Sequence, residues 1–258
     1  GLLSNALLVP LLPVYARLTA PQDRPELIAR IRQGLMLSNA SMLPLGALMV
    51  GLAVPIVALI YERGAFNAAA ADLVGQLLMA YGLGMPAYLA RDVLVRVFYA
   101  LGDGVTPFRW SLGGIGLNAL FCWLFVGGPI PGGALVLPAL NCGAAGLVLA
   151  TVGVNLITCL GLLLALQGRL GGLPLRVWGR DTLLLLGAAV ASGLVAWGLA
   201  QAIAWPTGLG GQLLECSLAG GAALLVYGLA AGVARVPEMD QLLRQLRGQL
   251  KARLPFAR

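Results

Sequence analysis

Between Leu73 and Leu101 lie about 29 mostly apolar residues, enough for one tilted bilayer crossing at roughly 1.5 Å of rise per residue. A polar turn opens this stretch (Glu62, Arg63, Gly64, Asn67) and another closes it (Gly102, Asp103, Gly104, Thr106, Pro107). Inside it sit Arg91, Asp92 and Arg96. Ionisable groups at such depth are costly, and in membrane helices they face a bundle interior or a wet cavity. The rest of the chain must therefore supply the neighbours. Its composition does so: 59% of the 258 residues are hydrophobic and only 10% charged, with a mean hydropathy of +0.89. A soluble domain carries roughly 25% charged residues. The expected fold class is all-α, a polytopic transmembrane helix bundle of roughly six or seven spans.

Residues 1–16 (GLLSNALLVPLLPVYA) are too short to cross unless completed upstream. Residue 1 is Gly and opens directly in an apolar run, so the chain is read as the C-terminal part of a longer protein, cut inside a helix. The segment PQDRPELIARIRQ predicts a turn and then a short amphipathic helix lying on the membrane. A span over 34–60 follows, with Pro44 and Pro55 inside it; proline there frees a carbonyl that neighbours must satisfy, and commonly kinks the helix. Asn67 is a plausible N-cap for the Leu73–Leu101 helix. Further spans are expected from Trp110 to Val126, then over 143–166, 182–204 and 212–234, with a Gly/Pro turn after the first of these. Small residues recur in the last three: Gly143, Gly146 and Gly153, then Gly187, Ser192 and Gly193, then Gly220, Gly221 and Gly228. Close helix packing accounts for them. The tail places Leu242, Leu243, Leu246 and Leu250 against Arg244, Arg247 and Lys251, which predicts a basic amphipathic helix on a membrane surface.

When the connections are numbered alternately, one set holds Arg17, Arg24, Arg30, Arg32, Arg109, Arg169, Arg176, Arg180 and the basic tail. The other holds Arg63 with Glu62, Asp72 and Glu215. The positive-inside bias makes the first set, and the C-terminus, cytoplasmic. It also assigns the net charge of +7 to topology and anionic lipid headgroups, and not to nucleic acid.

The chain has no histidine, which removes the commonest metal ligand and general base. Cys122, Cys142, Cys159 and Cys216 lie in or beside apolar runs without metal-binding spacing. No catalytic constellation, metal site or cofactor site is expected, and the chain is read as a transporter and not an enzyme. Arg91, Asp92 and Arg96 are the candidates for a substrate cavity. Asp92 and Arg96, at i and i+4, can pair on one face, and a guanidinium matches phosphate well. The bland alternative has Arg96 snorkelling to the cytoplasmic surface with Asp92 as partner. Asn118 and Thr151 can serve either as cation ligands or as a simple interhelical hydrogen bond.

At Tyr61-Glu-Arg-Gly-Ala-Phe66, Phe98-Tyr-Ala100 and Asp103 to Pro107, the sequence resembles the bacterial lipid II flippases (the MurJ or MviN family), of the multidrug/oligosaccharidyl-lipid/polysaccharide exporter superfamily. The motif residues are Arg63, Gly64 and Phe66 in the first turn, Phe98 and Tyr99 at the helix end, and Asp103, Thr106 and Pro107 in the second turn. Residues 1–16 are similar to the family's GxLxxALxxxLLPxxS segment, with Tyr15-Ala16 where Ser usually falls. The resemblance implies two six-helix lobes around a cationic cavity plus two further helices. Residues 1–167 would belong to the second lobe, 168–235 would be the two additional helices, and 236–258 the cytoplasmic tail. It also implies alternating access that carries lipid II, an undecaprenyl-pyrophosphate glycopeptide, from the inner to the outer face of the plasma membrane. The partners would be that lipid, the surrounding membrane lipids and the missing N-terminal half. Some family members bind sodium through an Asn and an Asp one turn apart and a Thr on the next helix. Asn118 and Thr151 match two of these, while Cys122 stands where the Asp would be. An O-antigen or polysaccharide-repeat flippase, or a non-transporting scaffold of cell-wall assembly, are the other readings.

Overall fold

In apolar surroundings a chain must satisfy its backbone internally, and this one does so with helices alone among its described residues. The computed structural model describes residues 11–18, 20–61, 68–127, 140–206 and 208–233. A short helix α1 (Leu11–Arg17) leads through a 3-10 turn (Pro21–Asp23) into α2 (Arg24–Gly51) and α3 (Ala53–Tyr61). Then come α4 (Ala68–Ala100), α5 (Val105–Val126), α6 (Gly143–Leu170), α7 (Leu175–Ala202) and α8 (Leu209–Val233). All but α1 and α3 are long and apolar enough to cross a membrane. The Arg63–Phe66 turn, Asn67, residues 128–139 and the tail lie outside the described residues.

The expected surface helix before residue 34 is not separate. Leu27, Ile31 and Leu35, spaced one turn apart, are all buried, so the apolar stripe of 22–32 runs straight into the span. Pro25 falls in the first turn of α2, where its missing N–H costs nothing. The single span expected over 34–60 is instead two helices, broken at Leu52. The proline ring of Pro55 clashes with the carbonyl four residues back, that of Gly51, and the chain leaves helical geometry at the next residue (Leu52 φ −116°, ψ 24°).

Pro44 and Pro86, by contrast, lie inside unbroken helices. Pro44 frees the carbonyl of Ala40, and the Tyr227 hydroxyl of α8 donates to that oxygen at 3.1 Å. Pro86 frees the carbonyl of Gly82, which is aimed at the Cα of Gly46 across the α2–α4 crossing, while a Cβ on Gly82 would meet the Gly46 oxygen at 2.8 Å. Reciprocal Cα–H···O contacts of this kind need glycine on both sides.

α2 is the hub, packed against α4 and α7, and α4 also packs against α6. A core of Leu94, Val97, Phe98, Leu162, Leu166 and Trp178 fills the end of the bundle where α4 and α6 finish and α7 begins. α7 is tied to α2 by Arg32–Asp181 at 2.7 Å and by Asn39 Nδ2 donating to Thr182 Oγ1 at 3.3 Å. α8 is tied to α7 by Ser192 Oγ donating to the Ala223 carbonyl at 2.8 Å. α5 packs mainly on α6, with Phe125 and Phe121 set against Gly146 and Gly153. Close packing thus explains Gly146, Gly153 and Gly193, which nearly touches Ala47 of α2. It does not explain Gly143, Gly187, Gly221 or Gly228, where an added Cβ would meet open space.

Tyr227→Phe should cost about 1–3 kcal/mol by leaving the Ala40 carbonyl unpaired. The same change in a Pro44→Ala background should cost much less, because position 44 then supplies a backbone N–H of its own to that carbonyl. Thermal melts of the four proteins in detergent test this; equal losses in both backgrounds would show that the hydroxyl serves some other purpose.

Candidate functional site

The C-terminal half of α4 carries Arg91, Asp92 and Arg96, and the structure divides them. Asp92 and Arg96 form the i, i+4 ion pair at 3.3 Å, with 35% and 21% of their side chains exposed. Arg91, one residue round the helix, points the other way, into the junction with α5 and α6. Its Nη1 donates to Asn155 Oδ1 at 3.2 Å and its Nη2 to Ser111 Oγ at 3.4 Å, while Nε is buried without a partner among the described residues. Asn155 is itself oriented by donating Nδ2 to the Thr151 carbonyl at 2.9 Å. Counting about 1.5 Å per residue, Arg91 lies roughly 13 Å and Arg96 roughly 6 Å from the helix end at Ala100. Arg91 is thus held by neutral oxygens inside the bundle, and the Asp92–Arg96 pair lies on a face of α4 left open.

Asn118 and Thr151 do meet. Asn118 Nδ2 donates to Thr151 Oγ1 at 3.4 Å, and the Cys122 thiol donates to Asn118 Oδ1 at 3.5 Å. The two polar residues therefore link α5 to α6. As a cation site they would offer one amide and one hydroxyl oxygen beside a soft sulfur, a poor set for a hard ion. Among the described residues no three His, Cys, Asp or Glu side chains cluster for a metal.

The Asp103–Pro107 turn is a built joint. Asp103 Oδ1 accepts the Thr106 N–H at 2.9 Å and Oδ2 accepts the Thr106 hydroxyl at 2.8 Å, capping the start of α5. Arg169, at the end of α6, pairs with the same carboxylate and donates to the Leu101 carbonyl at 3.3 Å. Phe98 and Pro107 are buried beneath the turn and Tyr99 is exposed. The Thr106 N–H and hydroxyl, then Arg169, hold the Asp103 carboxyl below the usual carboxylate range. Arg63, Gly64 and Phe66 lie outside the described residues.

Sequence reasoning missed Asn155, Ser111 and Arg169 as partners. A signal for Asn155 existed: it stands one turn after Thr151 in the mostly apolar middle of its helix. Away from the charges, α2, α4, α6 and α7 enclose an apolar groove of about 920 Å³, lined by residues such as Leu43, Leu83, Leu160, Leu186 and Trp197.

Asn155→Ala should lower stability by about 1–3 kcal/mol, since it takes one of two oxygen partners from the part-buried Arg91 guanidinium. Arg91→Met should cost far less, and should erase the effect of Asn155→Ala in the double variant; a calorimetric double-mutant cycle reads this directly. Asp103→Ala should destabilise the start of α5 by about 1 kcal/mol, seen as faster amide exchange in its first turn. Because the Asp103 carboxyl titrates below its unfolded value, its contribution is complete above the ordinary carboxylate range and is lost as pH falls through the depressed value. Exchange in that first turn should therefore accelerate only under strong acid, and the acceleration should vanish in Asp103→Asn.

A family model described as lipid II flippase MurJ matches residues 1–213. A probable lipid II flippase MurJ from Synechocystis sp. is 47% identical over 94% of this chain, which covers 44% of that relative. The lipid II flippase MurJ of Burkholderia cenocepacia is 30% identical over 76% of the chain and 36% of the relative. The chain thus spans less than half the length of these relatives. Among solved structures, a lipid II flippase MurJ in an inward closed conformation superposes with a TM-score of 0.63 at 20% identity, over 90% of this chain and 44% of that one, which shows a shared fold. With matches of this extent to both family model and relatives, the chain belongs to the lipid II flippase MurJ family.

Proposed function

We propose that this chain works as the C-terminal portion of a flippase that carries lipid II from the cytoplasmic to the outer face of the bacterial inner membrane by alternating access. Residues 1–167 belong to the second lobe and 168–235 to two additional helices, of which α7 docks on α2 and α8 mainly on α7, with 236–258 a basic tail. The observation that carries the reading is the Asp92–Arg96 pair on an open face of a membrane helix. Facing acyl chains, that pair would be costly; facing an aqueous passage between this lobe and an N-terminal one, it is tolerated and useful.

Arg96 then meets the pyrophosphate of the cargo, and Asp92 neutralises it when the passage is empty. Arg91 acts one step back, holding α4 against α5 and α6 through Asn155 and Ser111. The apolar groove offers a surface suited to the polyisoprenoid portion of the lipid. Arg24, Arg30, Arg32, Arg109, Arg176 and Arg180, in the first turns of α2, α5 and α7, and Arg169 at the α6 end support a cytoplasmic placement of that side.

The test uses full-length protein containing this chain, in cells depleted of their own flippase, with lipid II exposure at the outer face as readout. Arg96→Ala should reduce exposure about tenfold, the scale of one lost charge-assisted hydrogen bond, while Arg244→Ala leaves it nearly unchanged. Arg91→Ala should fall between them. Full exposure with Arg96→Ala would remove the headgroup contact, and no defect on depletion would leave a scaffold role instead.

A further inference from the structure

The open face of α4 holds more than its ion pair. Tyr81, Tyr88 and Tyr99 are 56%, 55% and 57% exposed. Their spacings of seven and eleven residues put them within about 20° of one line along the helix, with Asp92 on the same line. None of the three hydroxyls has a hydrogen-bond partner among the described residues. Tyrosine at a membrane surface usually sits at the headgroup level. Tyr81 and Tyr88, however, lie roughly 18–20 Å from the two ends of α4, at mid-depth. A phenol turned to acyl chains there would lose its hydrogen bonds, and a purely apolar partner helix would strand it equally.

We infer that Tyr81, Tyr88 and Tyr99 form a carbohydrate-stacking track that receives the sugar portion of the cargo beside Asp92 and Arg96. A pyranose presents a face of C–H bonds, which an aromatic ring attracts through its negative π-face, and a rim of hydroxyls. The phenol hydroxyls and the Asp92 carboxylate are matched to that rim. Tyr81 and Tyr88 lie about 10 Å apart along the axis, so a moving sugar chain meets a ring at successive depths. The inference rests on the flippase reading and adds which part of the cargo this face recognises.

The experiment measures binding to full-length protein in nanodiscs of two probes: undecaprenyl pyrophosphate carrying the disaccharide-peptide, and undecaprenyl pyrophosphate alone. Tyr88→Leu should weaken the glycosylated probe about fivefold and leave the sugar-free one unchanged, while Tyr88→Phe and Tyr88→Trp keep most of the affinity. Tyr81→Leu, measured in parallel, should act in the same direction, and covers the case that Tyr88→Leu does not fold. Equal weakening of both probes, or of neither, overturns the track. So does a fall in thermal stability with the affinity ratio unchanged, which would assign the face to a protein contact. If the unaltered protein binds neither probe, the proposed function fails as well; if it binds both and the leucine variants leave the ratio intact, only this inference fails.

Discussion

Each proline inside a membrane helix leaves one carbonyl that water cannot reach, and the architecture follows from where those oxygens find partners. Pro44 hands the Ala40 oxygen to Tyr227, which brings α8 onto α2. Pro86 hands the Gly82 oxygen to Gly46, which draws α4 and α2 together until only glycine fits between them. Pro55 has its conflict with Gly51, and there the helix gives way and α3 begins. Two freed groups thus pin helices together and the third divides one. None of these contacts relies on hydrophobic attraction, which is weak between helices already bathed in lipid.

With α2 closed on one side of α4 and α6 on the other, one uncovered strip of α4 carries Tyr81, Tyr88, Asp92 and Tyr99, while Leu83 faces the apolar groove. Arg91 reinforces the arrangement from the α6 side, and the Asp103–Arg169 joint fixes the α4–α5 turn to the end of α6. Both hold α4 to its neighbours through groups on separate helices, so α4, α5 and α6 are suited to move as one body. On the flippase reading, rigid-body rocking of a lobe needs such internal ties, because a helix that slid within its own lobe would dissipate the motion.

The spans themselves are legible in the sequence because apolar length and polar turns are one-dimensional properties. Asp92–Arg96 is legible too, since an i, i+4 pair needs only one helix. The continuous start of α2 is not, because Arg24, Glu26, Arg30 and Arg32 suggest a surface helix, while Leu27 and Ile31, on its other face, find a core supplied by α4 and α1. Gly46 and Gly82 do not stand out among many glycines, because which glycine meets a backbone depends on where two helices cross. Asn155 and Arg91 stand 64 residues apart, and no pattern within either helix announces their contact.

The charge balance of the open strip bears on how a carrier releases what it binds. Asp92 and Arg96 together are neutral, and the charge of Arg91 is turned away into the α5–α6 junction, where neutral partners hold it. An isolated guanidinium would bind a pyrophosphate strongly but would be costly to keep in an empty passage. A fully paired one would be cheap to keep and indifferent to an anion. Pairing Arg96 with an acid on its own helix, 21% exposed, lies between: the partner is never lost, and the guanidinium can turn toward an arriving phosphate without leaving a carboxylate stranded far from water. On the flippase reading, affinity is thereby kept moderate in both orientations, and a carrier needs just that, since a ligand held tightly at either face does not move on.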